Sequence, residues 1–234
     1  MKWQVNKVNS FILLILAVLF AGLGKWQLER KIEKQELLRQ FEQAEEMPLE
    51  RAVNSDQEFA RVRILGHFEA EWHLLVDNRV WKGQPGVHVL SLFHSKQGIP
   101  VLVNRGWLAM NPDRRSLPEV VTPEGEILIS GLLSRPPQDG VQLGQKESVQ
   151  QLTGPVLLTY LDIATITRAS GLEIAPQILK LDASDPSGFE DRKWQPAVIL
   201  PAQHQAYAVQ WFALAVAAVI LLFTMGIRIS RGKS

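Results

Sequence analysis

Cysteine is absent from all 234 residues. That excludes disulfides, thiolate catalysis, iron–sulfur clusters and cysteine-ligated zinc or copper. Methionine is scarce, four residues in all, so there is no Met-rich cluster of the kind that soft copper favours. The strings G-x-S-x-G, H-E-x-x-H and G-x-x-x-x-G-K-[ST] are missing. Nucleophile-elbow, zincin and P-loop chemistry therefore leave no signature here, and the chain reads as a non-enzyme. An excess of either charge is also lacking, with 25 Lys plus Arg against 24 Asp plus Glu. Five of the bases (Lys2, Lys7, Arg228, Arg231, Lys233) lie in acid-free terminal tails. The part between holds the other 20 against 24 acids, a net of −4. That balance argues against nucleic acid as a partner.

Long apolar runs are what the chain does have. Ala206–Ile227 holds 22 residues without charge or proline. At about 1.5 Å per residue such a helix crosses the roughly 30 Å hydrocarbon core of a bilayer, where only a self-satisfied backbone is tolerated. Arg228, Arg231 and Lys233 follow as a basic stop in the tail 228–234. The first run is shorter. Phe11–Leu23 is its centre, and Val8–Gly24 reaches 17 residues, at the low end of a spanning helix. A basic start before a short apolar run also fits a cleaved signal peptide, but Ala21-Gly22-Leu23-Gly24 is a poor cleavage site. A retained anchor over 9–25 after a tail of 1–8 is the reading taken. Lys25, Arg30, Lys31 and Lys34 just after the first span confuse the charge bias, so the basic C-terminal tail decides the orientation. Both termini are then expected in the cytoplasm, with 26–200 outside.

The head of the second run carries polar groups. His204, Tyr207 and Trp211 fall at i, i+3 and i+7, one face of a helix, with Ala208 and Ala215 on the same side. Gln210 lies inside the span, where polar side chains face protein or cofactor. Two accounts stay open: a functional His204, or a wet interfacial histidine above an aromatic belt. Ala17-x-x-x-Ala21 and Ala213-x-x-x-Ala217 carry the small-residue spacing that lets helices approach closely.

Between the runs, Lys25–Ala44 has good helix formers and no Gly or Pro, and Pro48 ends it. From Arg61 the pattern turns to strands: Arg61–Phe68, Trp72–Arg79, Val87–His94, Pro100–Trp107 and Glu126–Leu133, with a hairpin at Ser95–Gly98. Pro136–Lys146 reads as a polar loop. Val156–Tyr160 reads as a strand, Leu161–Ala169 as a short helix and Gln177–Leu181 as a last strand. The expected fold is a membrane α+β protein, with two transmembrane helices flanking an antiparallel, β-rich, barrel-like extracytoplasmic domain. His67 and His73, and His88 and His94, are six apart and about 20 Å distant along a strand, too far to share a metal.

Literal strings add to this. Gly24-Lys25-Trp26-Gln27 with Arg30 and Lys34, Gly66-His67-Phe68, Asp77-Asn78-Arg79, Gly83–Val89, Leu102–Trp107, Arg192 with Trp194 and Pro196, and His204 to Phe212 follow one another in order. Together they resemble the surfeit-locus family of cytochrome c oxidase assembly factors from about Leu23 to Leu214. The resemblance implies two membrane helices around an exported domain; the N-terminus lacks the Arg- and Ser-rich pattern of a transit peptide, so a bacterial inner membrane is expected. The resemblance implies help in maturing the haem–copper catalytic subunit of a terminal oxidase, with haem a synthase as a second partner. It also implies transient binding of haem a, with His204 as the axial iron ligand and Tyr207 and Trp211 beside it. Arg105 is a candidate for a haem propionate, since its forked donors suit a carboxylate; the alternative is a structural corner with Gly106 and Trp107. Trp26 and Trp194 are expected as interface anchors. A cofactor-free scaffold that docks a nascent oxidase subunit is the rival function.

Overall fold

Hydrophobic spacing changes twice along the chain, from helical to alternating and back, and the fold follows it. The computed structural model describes residues 7–113, 116–136, 154–196 and 199–231, the side chains of 7 and 225–231 excepted. The expected polar loop Pro136–Lys146 lies outside these residues apart from Pro136 itself. Two compact units result: residues 1–42 with 195–234, and residues 43–194.

The first unit is a helix pair, α1 (Lys7–Glu42) and α4 (Pro201–Arg231). Each is long and apolar enough to cross a membrane. Phe11, Leu14, Val18 and Leu19 of α1 and Val209, Val216 and Ile220 of α4 all point outward. An apolar exterior of this kind needs lipid around it, not water. Beyond the apolar run α1 continues as a wet helix, laced by Lys25–Glu29, Arg30–Glu33 and Arg39–Glu36.

Among the described residues the second unit holds six strands and two short helices: α2 (Leu49–Val53), β1 (Phe59–Trp81), β2 (Gln84–Ser95), β3 (Pro100–Ala109), β4 (Ile127–Ser134), β5 (Val156–Leu158), α3 (Ile163–Ser170) and β6 (Ile178–Leu181). The strands expected separately at Arg61–Phe68 and Trp72–Arg79 are one strand, β1. Its first half alternates, with Val62, Ile64 and Phe68 buried and Arg61, Arg63 and His67 exposed. Its second half, Trp72–Val76, is buried on both faces, because one core packs against Leu74 and another against Leu75. A register break between Phe68 and His73 separates the halves.

The early strands are antiparallel, as expected: β1 with β2, β2 with β3, and β1 with β4. The late ones are a correction, since β5 joins β1 and β6 joins β3 in parallel, making the sheet mixed. Parallel neighbours require long crossovers, and α3 lies in the connection between β5 and β6. β6 also pairs antiparallel with β4, and β1 pairs with both β2 and β4. The ring β1–β2–β3–β6–β4 thus returns to β1. Asp162 caps α3, its carboxylate accepting from the Thr165 N–H, and Gly171 ends that helix.

Candidate functional site

Recessed positions of α1 include the row Leu13, Ala17, Phe20, Gly24, Gln27, Lys31 and Lys34, with Leu16 and Leu23 beside it also half-buried. The row's spacing alternates four and three, the pattern of a helix that keeps one seam against a partner. On α4 the same alternation runs through His204, Ala208, Trp211, Ala215 and Ala218. The two seams meet antiparallel: Gln27 with His204, Gly24 with Phe212, and Phe20 with Trp211, whose rings stack at 5.7 Å. A Cβ on Gly24 would lie 2.8 Å from the Phe212 ring, so any larger residue there would have to displace that ring. Ala17, Gly24, Ala208, Ala215 and Ala218 form the close contact, while Ala21, Ala213 and Ala217 face away. The small-xxx-small pairs expected from sequence are therefore corrected to a seam of small residues at 3–4 spacing.

His204 is the polar centre of this seam and is only 7 % exposed. Its Nδ1 lies 2.7 Å from Gln27 Oε1. An amide oxygen can only accept, so Nδ1–H donates and Nε2 carries the lone pair. That Nε2 is buried and has no hydrogen-bond partner among the described residues. A buried, unpartnered imidazole nitrogen is costly and fits a site for an electrophile. Trp211 is half-buried on the same seam, whereas Tyr207 is 50 % exposed, on the outer side of α4, and Gln210 is exposed too. Ideal spacing put Tyr207 beside His204; the 3–4 seam turns it outward.

In the sheet unit, Arg105 is 2 % exposed. Its Nε donates to Ser187 O at 2.7 Å and its Nη2 to Val121 O at 2.8 Å. The Phe68 and Phe189 ring centroids lie 4.8 and 4.6 Å from the guanidinium carbon. Burial pushes its pKa down to about 10. Of the two readings of Arg105, the geometry is that of the corner. Gly106 has φ +107°, and a Cβ there would run into the Glu190 carbonyl. Trp107 is buried, lies tilted against Trp81 with ring centroids 5.4 Å apart, and donates from Nε1 to Arg79 O at 3.1 Å. Its backbone N–H donates to Glu190 O at 2.7 Å. Asn78 takes φ 59° where β1 breaks register before Arg79, which presents that carbonyl. Arg192 fixes the preceding turn through the carbonyls of Asp182, Asp185 and Phe189. Trp194, expected as an interface anchor, instead donates to Leu181 O at 2.8 Å inside this unit. The Asp-Asn-Arg, Asn-Arg-Gly-Trp and Arg-x-Trp strings thus build one architectural knot.

The histidines also pair differently from the sequence expectation. His67 and His94 are cross-strand partners with rings 5.2 Å apart, and Glu69 lies 3.2 Å from His94. No group of three or more His, Asp or Glu able to hold a metal occurs among the described residues.

A family model described as the SURF1 family matches residues 14–216. The chain belongs to the SURF1 family. Surfeit locus protein 1 of Mus musculus is 27 % identical over 241 residues, covering 93 % of this chain and 75 % of its own. The Takifugu rubripes protein of that name is 28 % identical over 242 residues, 93 % of this chain and 96 % of its own. That of Homo sapiens is 26 % identical over 253 residues, 97 % and 80 % respectively. The SURF1 match includes both the Gln27–His204 pair and the Trp107 knot. Its strings therefore divide in two: those of the sheet unit make structure, and those of the helices meet at an unsatisfied imidazole. Gln27 was a motif letter without a role in the sequence; its partner lies 177 positions away, and no local pattern shows that pairing.

Proposed function

We propose that this chain is an assembly factor for a haem–copper terminal oxidase, and that its helix pair carries haem a toward the catalytic subunit. The observation that carries the reading is the buried His204 Nε2 without a partner, on an imidazole whose other nitrogen Gln27 holds. When bound, haem supplies an iron centre that accepts a nitrogen lone pair. His204 offers that pair from Nε2. Gln27 fixes the tautomer and the ring orientation, as second partners of metal-binding histidines do. Trp211 and Phe20 supply flat apolar walls on the same seam. Nε2 is covered as it stands, so a covering side chain must swing aside for the cargo to reach it. Between Ala17 and Gly24 of α1 and between Ala208 and Ala218 of α4 the seam consists of small and aromatic side chains.

The same reading places the chain in a bacterial inner membrane with both termini in the cytoplasm and the sheet unit outside. Its partners are the oxidase catalytic subunit and haem a synthase. Protein purified from cells that make haem a should show the visible bands of a histidine-bound haem, and His204→Ala should lose them while still inserting into the membrane. Equal haem in parent and variant would remove His204 as ligand. A parent without haem would leave the cofactor-free scaffold.

A further inference from the structure

The cations of α1 are not alike. Lys25, Arg30 and Arg39 are each tied to a glutamate on the same helix. Lys31 and Lys34 form no ion pair among the described residues. These two are also the ones that continue the seam: Gln27, Lys31 and Lys34 fall at i, i+4 and i+7. Along a helix they lie about 6 and 10 Å beyond Gln27, on the side away from the apolar run. The residue that Gln27 holds, His204, sits in the first turn of α4. That turn has no acidic residue, so its N-terminal N–H groups add positive potential at the same level.

We propose that Lys31 and Lys34 bind the carboxylates of the cargo, the two propionates of a haem whose iron is held by His204. This rests on the haem reading above and adds to it which end of the molecule faces which way. An amphipathic porphyrin has one acidic edge, and the seam offers one cationic end. The apolar ring then lies against Phe20 and Trp211, and the acidic edge points out of the membrane. Two unpaired ammonium groups one turn apart match two carboxylates. The sequence places no glutamate three or four residues from either lysine, so neither has an intrahelical partner at that spacing. The seam positions make them receptors, whereas Lys25 lies off the seam.

The test uses the full chain in detergent, purified free of haem, titrated with ferric protoporphyrin IX and separately with its dimethyl ester. Lys31→Ala with Lys34→Ala should weaken binding of the free acid by roughly tenfold or more, as expected when charge-assisted bonds are lost. The Soret position should not move, because the iron ligand is intact. Binding of the ester should be equal in parent and double variant. Added salt should narrow the parent's preference for the free acid. Lys25→Ala, off the seam, should bind like the parent. If the double variant binds the free acid as tightly as the parent, the lysines do not hold the propionates. If acid and ester weaken equally, the lysines act on the fold or on lipid phosphate, and the inference falls. A parent that gives no Soret band at all fails earlier, at the haem reading, and takes the inference with it.

Discussion

Gln27 Oε1 lies 2.7 Å from His204 Nδ1, joining two helices through residues 177 positions apart in sequence. The bond decides which imidazole nitrogen keeps its lone pair. Gln27→Leu should leave both helices in the membrane but free the ring to rotate and change tautomer. Haem affinity should drop about tenfold to a hundredfold, the usual cost of losing a metal ligand's outer partner. Gln27→Glu, which still accepts from Nδ1–H, should retain binding and alter the Soret position. Titration of the two variants reads both; identical behaviour of Gln27→Leu and parent would end the positioning role.

Trp107→Ala removes a buried ring and the hydrogen bond to Arg79 O. It should cost roughly 3–5 kcal/mol of stability in the sheet unit. Gly106→Ala keeps the ring but forces a side chain into φ +107° against the Glu190 carbonyl. It should destabilise by roughly 1–3 kcal/mol or more. Thermal melts of the full chain in detergent, followed by tryptophan fluorescence, check both. An unshifted melt for Trp107→Ala would make that residue a docking contact instead.

Arg105→Lys retains a charge but not the fork that donates to Ser187 O and Val121 O, nor the guanidinium contacts with the Phe68 and Phe189 rings. The loss should be on the order of 2–4 kcal/mol, since carbonyls built for a guanidinium are left unpaired in the core. Haem binding by whatever protein remains folded should be unchanged. A variant that folds normally but binds haem poorly would restore the propionate role for Arg105.

His88 gives the fold an acid limit. Burial, then the nearby positive charges of Arg79 and Lys180, push its pKa from 6.5 to about 4. His73 is shifted downward too, first by burial. A depressed pKa means that the unfolded chain takes up the proton first. The associated stability is complete above about pH 6.5 and is lost as pH falls toward 4. For His88 the loss is on the order of 3 kcal/mol. His88→Gln should flatten the fall in melting temperature between pH 6.5 and 4. An equally steep fall in that variant would shift the effect to other groups.

Reporter fusions at Asp139 and Ser234 test the orientation. A periplasm-active reporter should work at Asp139 and a cytoplasm-active one at Ser234, because the basic C-terminal tail stays inside. Cytoplasmic activity at Asp139 would reverse the topology.

Much of this architecture was legible because periodicity survives in sequence. The apolar runs, the hairpin at Ser95–Gly98 and the capped helix after Asp162 all carry local signals. What was lost depends on distance. Glu69-Ala70-Glu71 looks like a break, yet β1 runs through it as an exposed stretch. α2 is five residues long and follows Pro48, too short for any period to show. At the candidate site His204 and Trp211 were placed on the right face, but Tyr207 turns outward and Gln27 had no assigned partner. Alanine spacing pointed to Ala213 and Ala217; only the 3–4 alternation that begins at His204 marks the face that packs. Arg105 illustrates the same limit, because its acceptors, Val121 and Ser187, come from distant loops.

The four residues of β6 are the last of the sheet to be made, yet they fill the gap between β3 and β4. Strands β1 to β4 can associate as soon as residue 134 is available, but β3 and β4 then each show an unpaired edge. Those edges wait for more than forty further residues, 135 to 177, before Ile178–Leu181 arrives. An incomplete chain is therefore adhesive: two such molecules can lend each other a strand. A premature stop after Ser134 should yield aggregates or swapped dimers, not a smaller folded domain. The order of synthesis thus makes closure of the ring a late event, completed only shortly before α4 emerges.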